Sequence, residues 1–290
     1  MSNSMIEVRV VEAGRGARWW VEGWRTFTSN LWTWVGIMVI FVIISLLIAS
    51  VPFVGDAGHS LLAPVFIGGL MLGCHAIDRD EPLKVAHLFQ GFQGAHFVPL
   101  LIIGAIDIGL MLLITAIMAA GIFGGSLLET LRFGGADPLA MLSQSAAMIG
   151  LSGLLAVLAV LVVAAIMGAL NWFAPALVVL RGATAIEAMK TSFVACWRNW
   201  APFLVYGLVA VAVLGLVFGI FGALALAFGI SAFASEGGIG MLIGLVFLVT
   251  VVVLLTGLFV GPTVFGTVYA SYRDTLADDG EEGHDNPANR

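Results

Sequence analysis

Charge is what this 290-residue chain has least of. Its 12 Lys and Arg with 18 Asp and Glu make up 10% of the residues, against 60% hydrophobic ones and a mean hydropathy of +1.07. Soluble domains carry about 25% charged residues, so too little polar surface is present to cover a water-soluble particle of this size. The same scarcity excludes a disordered chain, and two cysteines are too few for a disulfide scaffold. No phosphate-cradling loop, dinucleotide fingerprint or nucleophile elbow occurs, so the sequence offers nothing toward an enzyme or a bound cofactor. Much of the net charge of −6 sits at the end, where residues 276–290 hold Asp278, Asp279, Glu281, Glu282 and Asp285 against Arg290. This acidity argues against nucleic acid as a partner, and residues 275–290 read as a disordered cytoplasmic tail.

What remains is a membrane protein. Charged residues are separated by long apolar gaps, and a span needs about 20 mostly apolar residues. Six spans follow, near residues 31–51, 60–77, 97–123, 151–177, 202–230 and 240–268. The gap before Leu180 has room for a further span, but Ser143, Gln144 and Ser145 crowd its first third. The expected fold is an all-α polytopic transmembrane helical bundle. It is divided into an N-terminal segment (1–16), a membrane domain (17–274) and the tail.

With six spans, one side of the membrane collects 11 of the 12 basic residues, leaving only Arg132 on the other. Cytoplasmic loops retain Lys and Arg, so both termini are expected in the cytoplasm of a bacterial inner membrane. The first apolar run is longer than a signal-peptide core and follows 30 residues of chain, so no cleavable signal is expected. Cys74 and Cys196 then lie near the reducing side, and no structural disulfide is expected.

Short apolar patterns at helical spacing precede each odd-numbered span: Trp20, Trp24 and Phe27; Val85, Leu88, Phe89 and Phe92; Met189, Phe193, Cys196 and Trp197. Bases such as Arg25, Lys84, Lys190 and Arg198 are interleaved. These segments read as interfacial amphipathic helices along the inner leaflet, with aromatic residues at headgroup depth. Each even span carries a proline, Pro64, Pro175 or Pro262, which removes an intrahelical hydrogen bond and should face neighbouring helices. The unit of interfacial helix, span and proline-broken span thus recurs three times, over about 17–80, 82–182 and 184–274. The unequal spacing of the prolines is attributed to a longer periplasmic loop in the second unit.

Four motifs carry a resemblance: Val51-Pro52-Phe53-Val54-Gly55, Leu88-Phe89-Gln90-Gly91-Phe92, Trp172-Phe173-Ala174-Pro175 and Cys196-Trp197-Arg198-Asn199. Over about residues 10–275 the chain resembles an uncharacterised family of six-span bacterial inner-membrane proteins. It is more distantly similar to the membrane region of some glycerophosphodiester phosphodiesterases. The resemblance implies a fold and a location but no catalytic residue, since the hydrolytic domain has no counterpart here.

Asp107, alone within the third span, is the sharpest candidate site, because an ionised carboxylate at that depth costs on the order of 3 kcal/mol or more. Either it serves as a proton or ion site, or it is protonated and hydrogen-bonded across helices, with Asn171 as one partner. Cys74, His75, Asp78, His87 and His96 include metal-ligand types but lack a paired spacing, and polar caps account for them. Small-residue contact motifs carry no information, since 36 glycines in 290 residues produce about 4.5 such pairs by chance. The leading expectation is a non-enzymatic membrane protein. Its cytoplasmic helices, through Trp20, Trp24, Arg25, Phe89, Phe92, Phe193, Trp197 and Arg198, contact membrane lipids or a membrane protein partner. The alternative is a small proton- or ion-coupled transporter using Asp107.

Overall fold

The computed structural model describes residues 7–52, 55–133, 138–233 and 238–276. Residues 1–6, residues 277–290 of the acidic tail, and the side chains of Arg132, Ser143, Gln144 and Ser145 lie outside the described residues. Every regular element among the described residues is helical: α1 Arg15–Ser29, α2 Leu31–Ala49, α3 Gly55–Asp78, α4 Phe97–Phe133, α5 Pro138–Asn171, α6 Ala174–Arg181, α7 Ala185–Arg198, α8 Trp200–Phe233 and α9 Gly238–Leu276. Two 3-10 segments, Val85–Phe92 and Gly94–His96, precede α4. Six segments are long and apolar enough to cross a membrane: Leu31–Ala49, Gly55–Asp78, Gly94–Ala120, Gly153–Arg181, Trp200–Ala223 and Val249–Leu276. The protein is therefore an all-α, multi-pass membrane bundle.

The three repeats close into a ring. Each short element packs on the even span of the preceding repeat rather than its own: the 3-10 segment Val85–Phe92 on α3, α7 on α5 and α6, and α1, first in the chain, on α9, the last helix. The even spans form the centre, where α3 meets both α6 and α9. Of these, α3 is the most enclosed, with 56% of its apolar stretch buried inside the bundle; the sixth span, Val249–Leu276, has 22% buried, and the fourth, Gly153–Arg181, 6%, so the fourth joins the centre mainly through α6. The two ends of the described chain meet at one end of the bundle, where the Arg9 N–H donates to the Thr275 carbonyl at 2.9 Å.

The core lies where the even spans pass their prolines. Pro64, Pro175 and Pro262 are all buried, and the chain following each one contributes much of the core: Val65, Leu70 and Met71; Leu177 and Val178; Tyr269, Tyr272 and Leu276. A break was expected at all three, but α3 and α9 run through Pro64 and Pro262 as continuous helices. Only the fourth span is interrupted, between Asn171 and Ala174. The cause there is a hydroxyl inserted into the backbone ladder. Ser192 Oγ on α7 accepts the Phe173 N–H at 2.9 Å and donates to the Ala169 carbonyl at 2.7 Å, replacing the direct i to i−4 bond.

Two further expectations change. The extra length of the second repeat is helix rather than loop, since α4 extends to Phe133 and α5 begins at Pro138. At 37 residues, α4 is about 55 Å long, well beyond the ~30 Å hydrocarbon core. The stripe Val85, Leu88, Phe89 and Phe92 does not form one helical face either. In a 3-10 helix residues three apart eclipse, so Leu88 and Gly91 share the inward face and Phe89, one position on from Leu88, is exposed, as is Val85 at the open N-terminal end.

Docking of α1 on α9 needs backbone-to-backbone approach. A Cβ on Gly23 would strike the Thr263 carbonyl and the Thr267 backbone nitrogen, and Gly266 faces the Gly23 backbone in the same crossing. A 15-residue helix is marginal by itself. Its buried Phe27, like other large apolar side chains that leave water, contributes about 1.5–3 kcal/mol through docking. Gly23→Val should therefore destabilise the detergent-solubilised protein by about 1–3 kcal/mol in thermal melts. Gly219→Ala on α8, where a Cβ meets open space, should leave the melt unchanged or slightly raised. Equal melts for the two variants would contradict the close crossing.

Candidate functional site

The short elements gather at the end of the bundle where Arg9 meets Thr275, and their aromatic stripes divide between core and surface. On α1, Phe27 is buried, Trp20 is half-buried and Trp24 is exposed. Trp20 stacks on Tyr206 with ring centroids 5.2 Å apart, and its Nε1 donates to the Tyr206 carbonyl at 3.2 Å. Phe92 is half-buried with its ring 5.1 Å from that of Phe66, while Phe89 is exposed. On α7 Met189 is buried, Phe193 is half-buried and Trp197 is exposed, its indole stacked on Phe193 at 6.3 Å. Arg25 and Arg198 are both exposed beside these tryptophans.

Trp32 and Trp200 join them at the surface where α1 feeds α2 and α7 feeds α8. The four indoles of Trp24, Trp32, Trp197 and Trp200 are 52%, 83%, 73% and 66% exposed. Sequence spacing missed Trp32 because it falls inside the run assigned to the first span, and Trp200 because it lies between the stripe ending at Trp197 and the span beginning at 202.

Behind this surface a polar network ties the first and third repeats. Asp274 Oδ2 accepts from Arg15 Nε at 2.6 Å and from Trp19 Nε1 at 2.7 Å. Glu22 bridges Arg15 at 2.9 Å and Arg273 at 3.0 Å, and Arg273 reaches Asp78 at 2.7 Å. Tyr269 OH then donates to Asp78 Oδ2 at 3.1 Å and lies 2.9 Å from His75 Nδ1. A cavity of about 150 Å³ opens among Glu22, Arg25, Cys74, Asp78, Tyr269 and Arg273. Acids and bases alternate around it, so the ion pairs largely neutralise one another and the cavity offers little net attraction to a ligand of either sign.

Asn199 pins the N-terminal segment to the third repeat. Its Oδ1 accepts the Val11 N–H at 2.9 Å, while Nδ2 donates to the carbonyls of Arg9 at 2.9 Å and Ala195 at 3.0 Å. The resemblance motif contained Asn199, but the residues it grips are 188 and 190 positions away, which no local pattern reveals. Asp274 and Trp19 went unnoticed for the same reason.

The structure brings Asp107 and Asn171 together. Asn171 Nδ2 donates to Asp107 Oδ1 at 2.7 Å and to the Met167 carbonyl at 3.0 Å, joining α4 to α5. His75 and Asp78 share Tyr269, whereas the His87 ring accepts the Lys84 N–H at 3.0 Å. Among the described residues no three His, Cys, Asp or Glu side chains are grouped to hold a metal ion. Burial, followed by the neighbouring Lys84 charge, lowers the His87 pKa.

Over 228 residues the chain is 31% identical to a probable inner membrane protein of Burkholderia thailandensis, an alignment covering 77% of this chain and 82% of the relative. The chain belongs to that inner-membrane protein family. No family model matches it, and no solved structure matches it. Nothing in these relationships extends to the glycerophosphodiester phosphodiesterases, so that more distant likeness is without support. Membership in the inner-membrane family agrees with the six apolar helices, and the relative's name assigns no enzymatic activity.

Cys196 provides a check on how tightly α7 is seated in this inner-membrane protein. Burial pushes its thiol up to about 12, opposed by the Ser192 hydroxyl. Alkylation requires thiolate, and a raised pKa keeps the group a thiol below that value. In a Cys74→Ala background, maleimide should label Cys196 at pH 7.5 at least about tenfold more slowly than an unperturbed cysteine of pKa ~8.5, and faster as pH rises or the fold is denatured. Prompt labelling at neutral pH would contradict the packing of α7.

Proposed function

We propose that the protein is a non-enzymatic component of the inner membrane whose short helices form a collar on anionic phospholipid headgroups at the cytoplasmic face. One observation carries this reading: Trp24, Trp32, Trp197 and Trp200 stand exposed next to Arg25 and Arg198 where short helices meet spans. Indoles have an apolar body and a polar N–H and are enriched at the membrane–water boundary, where neighbouring bases meet anionic lipid. The cytoplasmic orientation rests on the basic residues, 11 of 12 of which belong to the connections on the side of the termini. The core-facing residues Trp19, Phe27, Leu88 and Met189 build the collar, and the exposed ones are left to touch its surroundings. A membrane protein partner seated on the same indoles is the competing occupant.

Reconstitution into vesicles containing brominated lipid tests the collar. Tryptophan emission should be quenched more by brominated phosphatidylglycerol than by brominated phosphatidylcholine, and Arg25→Glu with Arg198→Glu should reduce the difference. Equal quenching by the two lipids in the unmodified protein would contradict it.

A second reading, proton- or ion-coupled transport through Asp107, draws on the buried carboxylate held by Asn171. The polar partners around it support a cross-helix joint instead, of the kind worth about 0.6 kcal/mol within membranes. Asp107→Asn retains an acceptor for Asn171, so folded yield and melting should stay within about 1 kcal/mol of the unmodified protein. Proton uptake into vesicles that this substitution abolishes would establish transport.

A further inference from the structure

The ring is not equally closed at its three seams. Between repeats, an odd span packs on the even span before it: α2 contacts α9, and α4 contacts α3. By the same rule α8 belongs against α5, yet among the described residues α8 packs on α9 and makes no comparable contact with α5. Trp172 holds this third seam apart. Its indole stands edge-on to Phe203 and Tyr206 with centroids 5.4 and 5.2 Å away, and its Nε1 donates to Ser271 Oγ at 3.1 Å. The result is a lateral groove of about 430 Å³ bordered by Ala165, Gly168, Trp172, Phe193, Trp197 and Trp200. This lies within the ~300–1,000 Å³ typical of ligand pockets.

Two features define an occupant. The Ala165 and Gly168 wall belongs to the membrane-crossing segment Gly153–Arg181, flanked by exposed Leu158, Leu161 and Val162, so the groove opens onto hydrocarbon. No charged residue lines the groove itself, but cations stand beside it on α7. Lys190, Phe193 and Trp197 follow one another at i, i+3 and i+7 on α7, which places exposed Lys190 on the groove's stripe, and exposed Arg198 adjoins Trp197. Glu187, also exposed, is the acid on this stretch of α7, leaving the mouth with an excess of positive charge. An apolar trough with a basic mouth at the aromatic boundary matches one acyl chain and its phosphate. We infer that the seam between α5 and α8 is a discrete binding site for one anionic glycerophospholipid, its acyl chain beside Ala165 and Gly168 and its phosphate at Lys190 and Arg198.

This site rests on the lipid-contact reading above but makes the separate claim of a single, retained lipid. Native mass spectrometry tests it on the full chain purified in detergent and offered phosphatidylglycerol and phosphatidylcholine. One phosphatidylglycerol should be retained in at least tenfold preference. Gly168→Phe, at a position where a Cβ meets open space, should fill the trough and abolish retention with an unchanged melt; Ala165→Phe serves if the first variant misfolds. Lys190→Glu with Arg198→Glu should remove the preference for phosphatidylglycerol. Retention by both groove-filled variants overturns the site, as does absence of bound lipid while bromolipid selectivity persists, and in that case the collar reading stands. Loss of that selectivity as well removes both. A dimer mass that the groove variants abolish would also overturn the site, in favour of a second copy.

Discussion

An apolar stripe on a short helix has to be covered, and here the cover is always the proline-bearing span of the repeat before. That constraint organises the molecule. For the second and third repeats the covering span immediately precedes the short element in the chain, so docking is nearly local. For α1, the first described helix, the equivalent surface is α9, far away in the sequence. Folding therefore ends in a ring, with residues 15–29 held against residues 259–274. Where these surfaces lie within lipid, the hydrophobic effect adds little, because acyl chains are as apolar as leucine, and close packing of small residues supplies the association; only side chains that leave water, such as Phe27, add to it. Gly23 against Gly266 and Gly91 against the Val65 carbonyl serve two seams, and Ser192 with Ala188 and Ala195 serves the third.

The polar groups fix register more than they add stability. Half-exposed ion pairs such as Glu22–Arg273 and Arg273–Asp78 contribute on the order of 0–1 kcal/mol each. Their value is geometric, because Arg273 can satisfy Asp78 of the first repeat and Glu22 of α1 only when both are docked on α9 together. Asn199 and Ser192 act similarly, binding backbone groups of segments that side-chain packing alone would leave free to slide. The same logic leaves one seam open, since Trp172 fills the space that α5 and α8 would otherwise share. The lipid-contact proposal accordingly puts function on the outside of the cage, at the exposed indoles and bases.

Features governed by composition and local spacing were legible in the sequence. Six spans followed from charge-free runs, the threefold unit from recurring aromatic stripes and prolines, and Asp107 stood out as a carboxylate without company. What escaped depends on distant partners. Nothing in Arg18-Trp19-Trp20 distinguishes the indole that donates to Asp274 from the one that stacks on Tyr206. The break before Pro175 comes from a serine 19 residues later, whereas Pro64 and Pro262, with the same local signal, leave their helices continuous. Spacing also cannot separate a 3-10 from an α segment over eight residues, and the facing of Phe89 and Phe92 depends instead on the close approach of the Leu88 backbone to Gly69.

Closure of the ring is the claim on which the collar, the network and the open seam all depend. It is tested most directly by cysteine cross-linking in native membranes, with Cys74 and Cys196 replaced and new cysteines placed at Glu22 and Arg273. A short bifunctional thiol reagent should join them within one chain at high yield, while a pair at Glu22 and Lys190 should remain unjoined. Failure of the Glu22–Arg273 pair to cross-link, or linkage only between two chains, would contradict the closed ring.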